Sequence, residues 1–156
     1  MCIIRAVDQM EKYLQVQEAP EIWETEEDKK LSIGKLKYRY LQYAKENFQG
    51  KVFINKSTGK QIRVSNDGIM EWRQKARTRE HIISIKLLNV FLETAIFKDT
   101  LPDYKGRPEI ESDSRYTCEC MVNGKRSQAV ITTRKPVTGI DKLRYYALKT
   151  GEAKPK

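Results

Sequence analysis

The stretch "YTCECMVNGKRSQAVITTR", residues 116–134, decides the fold of this chain. Asn123–Gly124 is a favoured pair for a two-residue type I′ turn, which needs a positive φ at both central positions. Side chains alternate on either side of it, the pattern of a two-stranded antiparallel ribbon. A two-residue loop sets Val122 opposite Lys125, Cys120 opposite Ser127 and Cys118 opposite Ala129. One face then carries Tyr116, Cys118, Cys120, Val122, Ser127, Ala129 and Ile131, and this is the apolar face. The other carries Thr117, Glu119, Met121, Arg126, Gln128, Val130, Thr132 and Arg134.

Downstream, "KLRYYALK" supplies a further strand, whose alternation puts Leu143, Tyr145 and Ala147 on the core side and Arg144 and Tyr146 on the polar side. Upstream, "REHIISIKLLNVFLETAIF" predicts one long helix over 79–97, capped by Thr78 and apolar around most of its circumference, so the sheet should pack on it. Residues 98–114, rich in Pro, Gly, Asp and Ser, read as a surface loop. "NDGIMEWRQKAR" predicts a helix with Asp67 as its N-cap. "KVFINKSTGKQIRVS" predicts a hairpin. Ile33, Leu36, Tyr40, Tyr43 and Ala44 recur at helical spacing over 31–47, and Ile3, Val7, Met10 and Leu14 do so over 3–18. The expected architecture is α+β: N-terminal helices, a β-hairpin, two helices, and a C-terminal antiparallel sheet packed on the long helix. The expected division is a helix and acidic linker over 1–30, a basic α+β domain over 31–150, and a disordered tail over 151–156.

Charge is unevenly spread. Residues 1–30 hold 4 basic and 8 acidic side chains, leaving 26 basic and 13 acidic residues in 31–156, a balance of +13. A basic body of this kind suits a phosphate-rich partner, with the acidic stretch either covering it or solvating the chain. No apolar run approaches the ~20 residues of a membrane span, and the apolar patch in "MCIIRAVDQMEK" is too short for a signal peptide. A cytoplasmic location and no membrane partner are expected. The three cysteines fit that compartment, and "CEC" reads as a buried reduced pair. No zinc spacing is present, so no metal and no cofactor are expected.

Arg126, Arg134 and Arg144, with Glu119 and Tyr146, would share the open sheet face. Guanidinium forks match phosphates and a tyrosine can stack a base. Arg and Tyr can also stabilise a phosphorane without metal, with Glu119 or His81 as base. His81 is the single histidine. Counted along the helix it lies above Ile85, Leu88 and Leu92, which favours a hydrogen-bonded residue at the core rim, although a groove edge beside Arg77 and Arg79 is within its reach.

The segments "AKENFQGKVFINKSTGKQIRVSNDGIMEW", "REHIISIKLLNVFLETAIF", "YTCECMVNGKRSQAVITTRK" and "RYYALKT" together resemble a domain of the large polyvalent proteins of phages and conjugative elements. The resemblance covers roughly residues 44–150 and implies a mobile-element protein. Helices followed by an antiparallel sheet also look like the barnase–EndoU–colicin–RelE group of metal-independent ribonucleases. That second resemblance implies RNA cleavage by a 2′-hydroxyl, with Arg, Lys, Tyr, His or Glu on the open sheet. A single histidine departs from any two-histidine mechanism.

Three functions stay open: an RNA-directed domain, catalytic or formerly so; a non-catalytic protein binding nucleic acid or a host or phage protein; and a toxin-like enzyme held by a protein inhibitor. Nucleotide-binding loops, Ser-His-Asp triads and dinucleotide fingerprints are absent from the sequence, which leaves those enzyme classes without support.

Overall fold

Helices and strands alternate along the first half of the computed structural model, which describes residues 19–103 and 105–150, before three long strands complete the sheet. The helix expected over 3–18 and the tail over 151–156 lie outside the described residues. The acidic stretch read as linker instead forms strand β1 (Glu21–Ile22) and the one-turn helix α1 (Glu26–Lys29). Thr25 and Asp28 close a reciprocal capping box on α1, which explains how so short a helix persists.

Helix α2 (Ile33–Asn47) buries Leu36, Tyr40, Leu41 and Ala44; of the expected stripe, Tyr43 is half-buried and Ile33, in the first turn, is exposed. Strands β2 (Val52–Ile54) and β3 (Gln61–Arg63) form the expected hairpin. Helix α3 (Asn66–Lys75) is capped by Ser65 rather than Asp67: the Ser65 hydroxyl accepts from the Gly68 amide. The cap falls two residues earlier because the backbone is extended at Ser65 and already helical from Asn66, so Asp67 lies inside the first turn.

The long helix is interrupted. It runs as α4 (Arg79–Ile83), a 3₁₀ turn (Ser84–Leu87) and α5 (Leu88–Thr94). Thr78 caps α4, its hydroxyl accepting from the His81 amide. The break falls where Ser84 Oγ donates to the His81 carbonyl at 2.7 Å, a local side-chain bond that competes with the helical ladder. The chain leaves helix at Ala95 and enters strand β4 (Ile96–Pro102), so residues 96–102 are strand where helix end and loop were expected. Pro102 ends that strand at the sheet edge, where a missing amide costs no ladder bond.

Strands β5 (Ile110–Val122), β6 (Lys125–Pro136) and β7 (Asp141–Thr150) make the body of a seven-stranded sheet ordered β1-β5-β6-β7-β3-β2, with β4 also on β5. The β5–β6 register is the one that the Asn123–Gly124 turn dictates: Val122 faces Lys125, Cys120 faces Ser127 and Cys118 faces Ala129. Asn123 and Gly124 have φ of 52° and 76°. The mixed character comes from β1 and β3, which join β5 and β7 in parallel.

The β6–β7 register shifts between Thr132 and Thr133, which face Tyr145 and Leu143 respectively. Arg144 is the extra residue of this bulge. Beyond it the alternation reverses, so Tyr146 faces inward beside Ile131, and Leu148 beside Ala129. The expected placement of Tyr145 and Ala147 in the core and Tyr146 on the polar face is thus corrected by one inserted residue. Tyr146 is fully buried, wedged edge-on against His81 and Phe91. Cys118 and Cys120 are buried, as read from the hairpin.

Helix α3 lies along β7. A Cβ on Gly68 would overlap the Leu143 carbonyl, so glycine sets how closely this helix approaches the strand. The core unites α2, α3, α4 and α5 with the inner sheet face through Leu36, Trp72, Ile82, Phe91, Ile131 and Tyr146.

Candidate nucleic-acid interface

The outer sheet face brings Arg134 and Arg144 together, but onto a carboxylate. Arg134 Nε and Arg144 Nη1 bind the two oxygens of Asp113 at 3.1 and 2.8 Å. Arg115 forms a two-point pair with Asp99, its Nε donating at 2.7 Å, and Lys135 meets Glu111 at 3.0 Å. Arg126 lies on the same face, 3.8 Å from Glu119 and largely exposed. Eight residues along β6 separate Arg126 from Arg134, about 27 Å at strand rise. The sheet arginines are therefore either matched with carboxylates or far apart.

His81 and Tyr146 are inside. The imidazole is 8% exposed and the phenol 0%. His81 Nε2 donates to the Tyr146 carbonyl at 3.1 Å, and Tyr146 Oη is 2.8 Å from Ser84 Oγ. Ser84's single hydrogen is engaged by the His81 carbonyl, so Tyr146 is the donor of that pair. Burial, reinforced by the charge of Lys37, lowers the His81 pKa to about 4, against a smaller opposing effect of the Tyr146 carbonyl. Burial raises the Tyr146 pKa well above the usual tyrosine range. Glu119 and Arg126 stay on the surface, Arg134 is about 20 Å along the sheet from Glu119, and the five candidate catalytic groups share no surface.

Arg79 is a tie, not a free cation. Its guanidinium reaches the Glu24 carboxylate at 2.9 Å and the carbonyls of Asp28 and Leu31. Glu24 in turn accepts from Asn123, and the Glu24 amide donates back to the Asn123 side chain. Residues 19–31 are held as a strap against α4 and the β5–β6 turn. Its carboxylates also meet Arg39, through Asp28 at 3.3 Å and Glu27 at 3.7 Å.

Arg77, in the link between α3 and α4, is exposed and unpaired among the described residues, and it has company that the sequence did not single out. Gly34, Lys37 and Tyr38 of α2, spaced i, i+3, i+4, face Met70, Arg73 and Gln74 of α3 across a groove of about 470 Å³. Arg77 lies just past the C-terminal end of α3, beyond Ala76. Lys37 is half-buried, and desolvation first, then the charges of Arg77 and Arg73, lower its pKa. Among the described residues, Lys37, Arg73 and Arg77 form no ion pair. The helical spacing of both triplets was present in the sequence; that the two helices lie side by side was not.

Burial raises the thiol pKa of Cys118, and that of Cys120 to about 12, so neither is a ready nucleophile or metal ligand. No metal-binding cluster of three or more His, Cys, Asp or Glu occurs among the described residues. Nor, among them, is any helix long and apolar enough to cross a membrane.

With this fold, a mixed α+β sheet covered by helices, goes a family. The family described as large polyvalent protein-associated domain 3 matches residues 32–146, and the chain belongs to it. The match begins just after the strap. No curated protein and no solved structure matches the chain.

Proposed function

We propose that this domain binds nucleic acid without cleaving it, and that it does so through the α2–α3 groove. The observation that carries the reading is the convergence of Lys37, Arg73 and Arg77 with no carboxylate among them. Like charges held near one another repel, and a partner that supplies negative charge relieves this. Phosphates do so, and guanidinium groups suit them geometrically. The acidic strap does not fill this role, because its carboxylates are engaged within the strap by Trp23 and Lys29 and outside it by Arg39 and Arg79. The sheet face is the weaker candidate, since a phosphate there would compete with Asp113, Asp99 and Glu111 already in place.

The separation of the acid–base candidates, with His81 and Tyr146 buried, supports a non-catalytic role. Fluorescence anisotropy with a short labelled RNA at several salt concentrations tests the proposal. The Lys37→Gln/Arg73→Gln protein should bind more weakly and flatten the salt slope by about two, one for each phosphate left without its cation. Arg126→Gln/Arg134→Gln should leave the slope unchanged. If the full chain shows no salt-dependent binding, nucleic acid is the wrong partner class and a host or phage protein takes its place.

A further inference from the structure

The groove holds more than charge, and we infer that it takes single-stranded nucleic acid, seating one unstacked base on the ring of Tyr38. This rests on the reading of the groove as a nucleic-acid site. Tyr38 is 64% exposed, the most exposed large hydrophobic side chain among the described residues. It is on the same helical face as Lys37, one turn from Gly34, at the rim of the groove. Among the described residues no cation–π partner or hydrogen bond holds its ring, whereas Tyr40, Tyr43 and Tyr145 each pack under a lysine.

An exposed ring beside cations is what a base needs. Every base has a π-face, and stacking on an aromatic contributes regardless of sequence, while neighbouring Lys and Arg hold the backbone. A duplex keeps its bases stacked inside and would reach the cations but not use the ring. The volume of about 470 Å³ falls within the range of small-ligand sites, about 300–1,000 Å³. Met70 gives the wall an apolar surface, and Gln74 presents donors and an acceptor to a base edge.

Gly34 adds a separate indication. It sits in the first turn of α2, at the edge of the groove. A Cβ there would meet no atom within 4 Å. The space such a side chain would fill belongs to the groove. A close approach of ligand to backbone accounts for the missing side chain.

The test compares anisotropy of four labelled probes: oligo-uridylate, oligo-thymidylate, and an RNA and a DNA hairpin duplex of equal phosphate number. Wild type should prefer single strands, and the uridylate–thymidylate comparison reports whether ribose matters. Tyr38→Ala should weaken single-strand binding by roughly tenfold with an unchanged salt slope, and Tyr38→Phe should restore it, because the stacking face remains. Gly34→Leu should block single strands while raising helix stability, so loss of binding with an equal or higher Tm is not misfolding. Lys37→Gln should weaken all four probes alike.

Equal binding of duplex and single strand, with Tyr38→Ala silent, would overturn the base-stacking inference and leave phosphate binding standing. Absence of salt-dependent binding to any probe would instead remove the nucleic-acid reading itself. Tighter binding of polyglutamate than of any of the four probes, at equal charge concentration, would overturn the inference in favour of an acidic protein partner.

Discussion

His81 Nε2 lies 3.1 Å from the carbonyl oxygen of Tyr146, so the two residues best suited to proton transfer are bound to each other in the core. The bond joins the first turn of α4 to β7 directly beyond the Arg144 bulge. It also defines the tautomer: a carbonyl accepts only, so the proton is on Nε2.

The first prediction concerns pH. Burial lowers the His81 pKa from 6.5 to about 4, and Lys37 adds to the shift. The unfolded chain therefore takes up a proton between pH 6.5 and 4 that the folded protein refuses. Stability should be fully present above pH 6.5 and fall as pH drops through that window. The loss from this group approaches about 3 kcal/mol near pH 4. Denaturant melts of wild type and His81→Gln at pH 7.5, 5.5 and 4.5 would measure it. The variant should be less stable at pH 7.5 yet lose less on acidification; parallel curves would show that His81 titrates normally.

Gly68→Ala should destabilise the fold by about 1–3 kcal/mol, since the new methyl overlaps the Leu143 carbonyl and must push α3 off β7. Thermal melts read this directly. A stable Gly68→Ala protein would mean the helix–strand spacing yields. Gly34→Ala, at a helical glycine with an open Cβ position, should be stabilising by contrast.

The strap gives a third expectation. Arg79→Ala removes the bonds to Glu24, Asp28 and Leu31 and should lower stability by about 1.5–3 kcal/mol. The Met121 and Asn123 amides, which donate to Pro20 and Ile22, should then exchange with solvent much faster, while the inner β6 amides keep their protection. Unchanged exchange at Met121 would show that the strap holds without Arg79.

A fourth expectation falls on the outer face. Asp113→Asn leaves the Arg134 and Arg144 guanidinium groups side by side, and should cost about 1–3 kcal/mol. Adding Arg144→Gln should recover part of the loss, a coupling that a double-mutant cycle isolates. Strict additivity would show that the three residues do not act as a cluster.

The hairpin illustrates what local chemistry conveys. Asn123–Gly124 tolerates the positive φ values the turn needs, and a two-residue loop leaves a single register, so pairing, facing and the burial of Cys118 and Cys120 all follow from residues within reach of one another. The buried stripe of α2 and the Thr78 cap are legible for the same reason. Strand β4 was not: Pro102 and the Gly- and Asp-rich residues after it signal a loop, and only pairing with β5 makes 96–102 extended sheet.

Tyr146 and the groove belong wholly to tertiary structure. Alternation along β7 is sound on either side of Arg144, but a bulge depends on how β6 and β7 meet, and one extra residue reverses every side chain after it. That reversal moves Tyr146 from a supposed binding face into the core. Likewise Arg134 and Arg144 are near each other as read from the strands, but Asp113 neutralises them from β5. Lys37 and Arg73 are 36 residues apart, and composition registers them only as part of a basic balance. Net charge is additive along the chain; whether a given cation is neutralised depends on distance in space, which the packing of α2 against α3 sets.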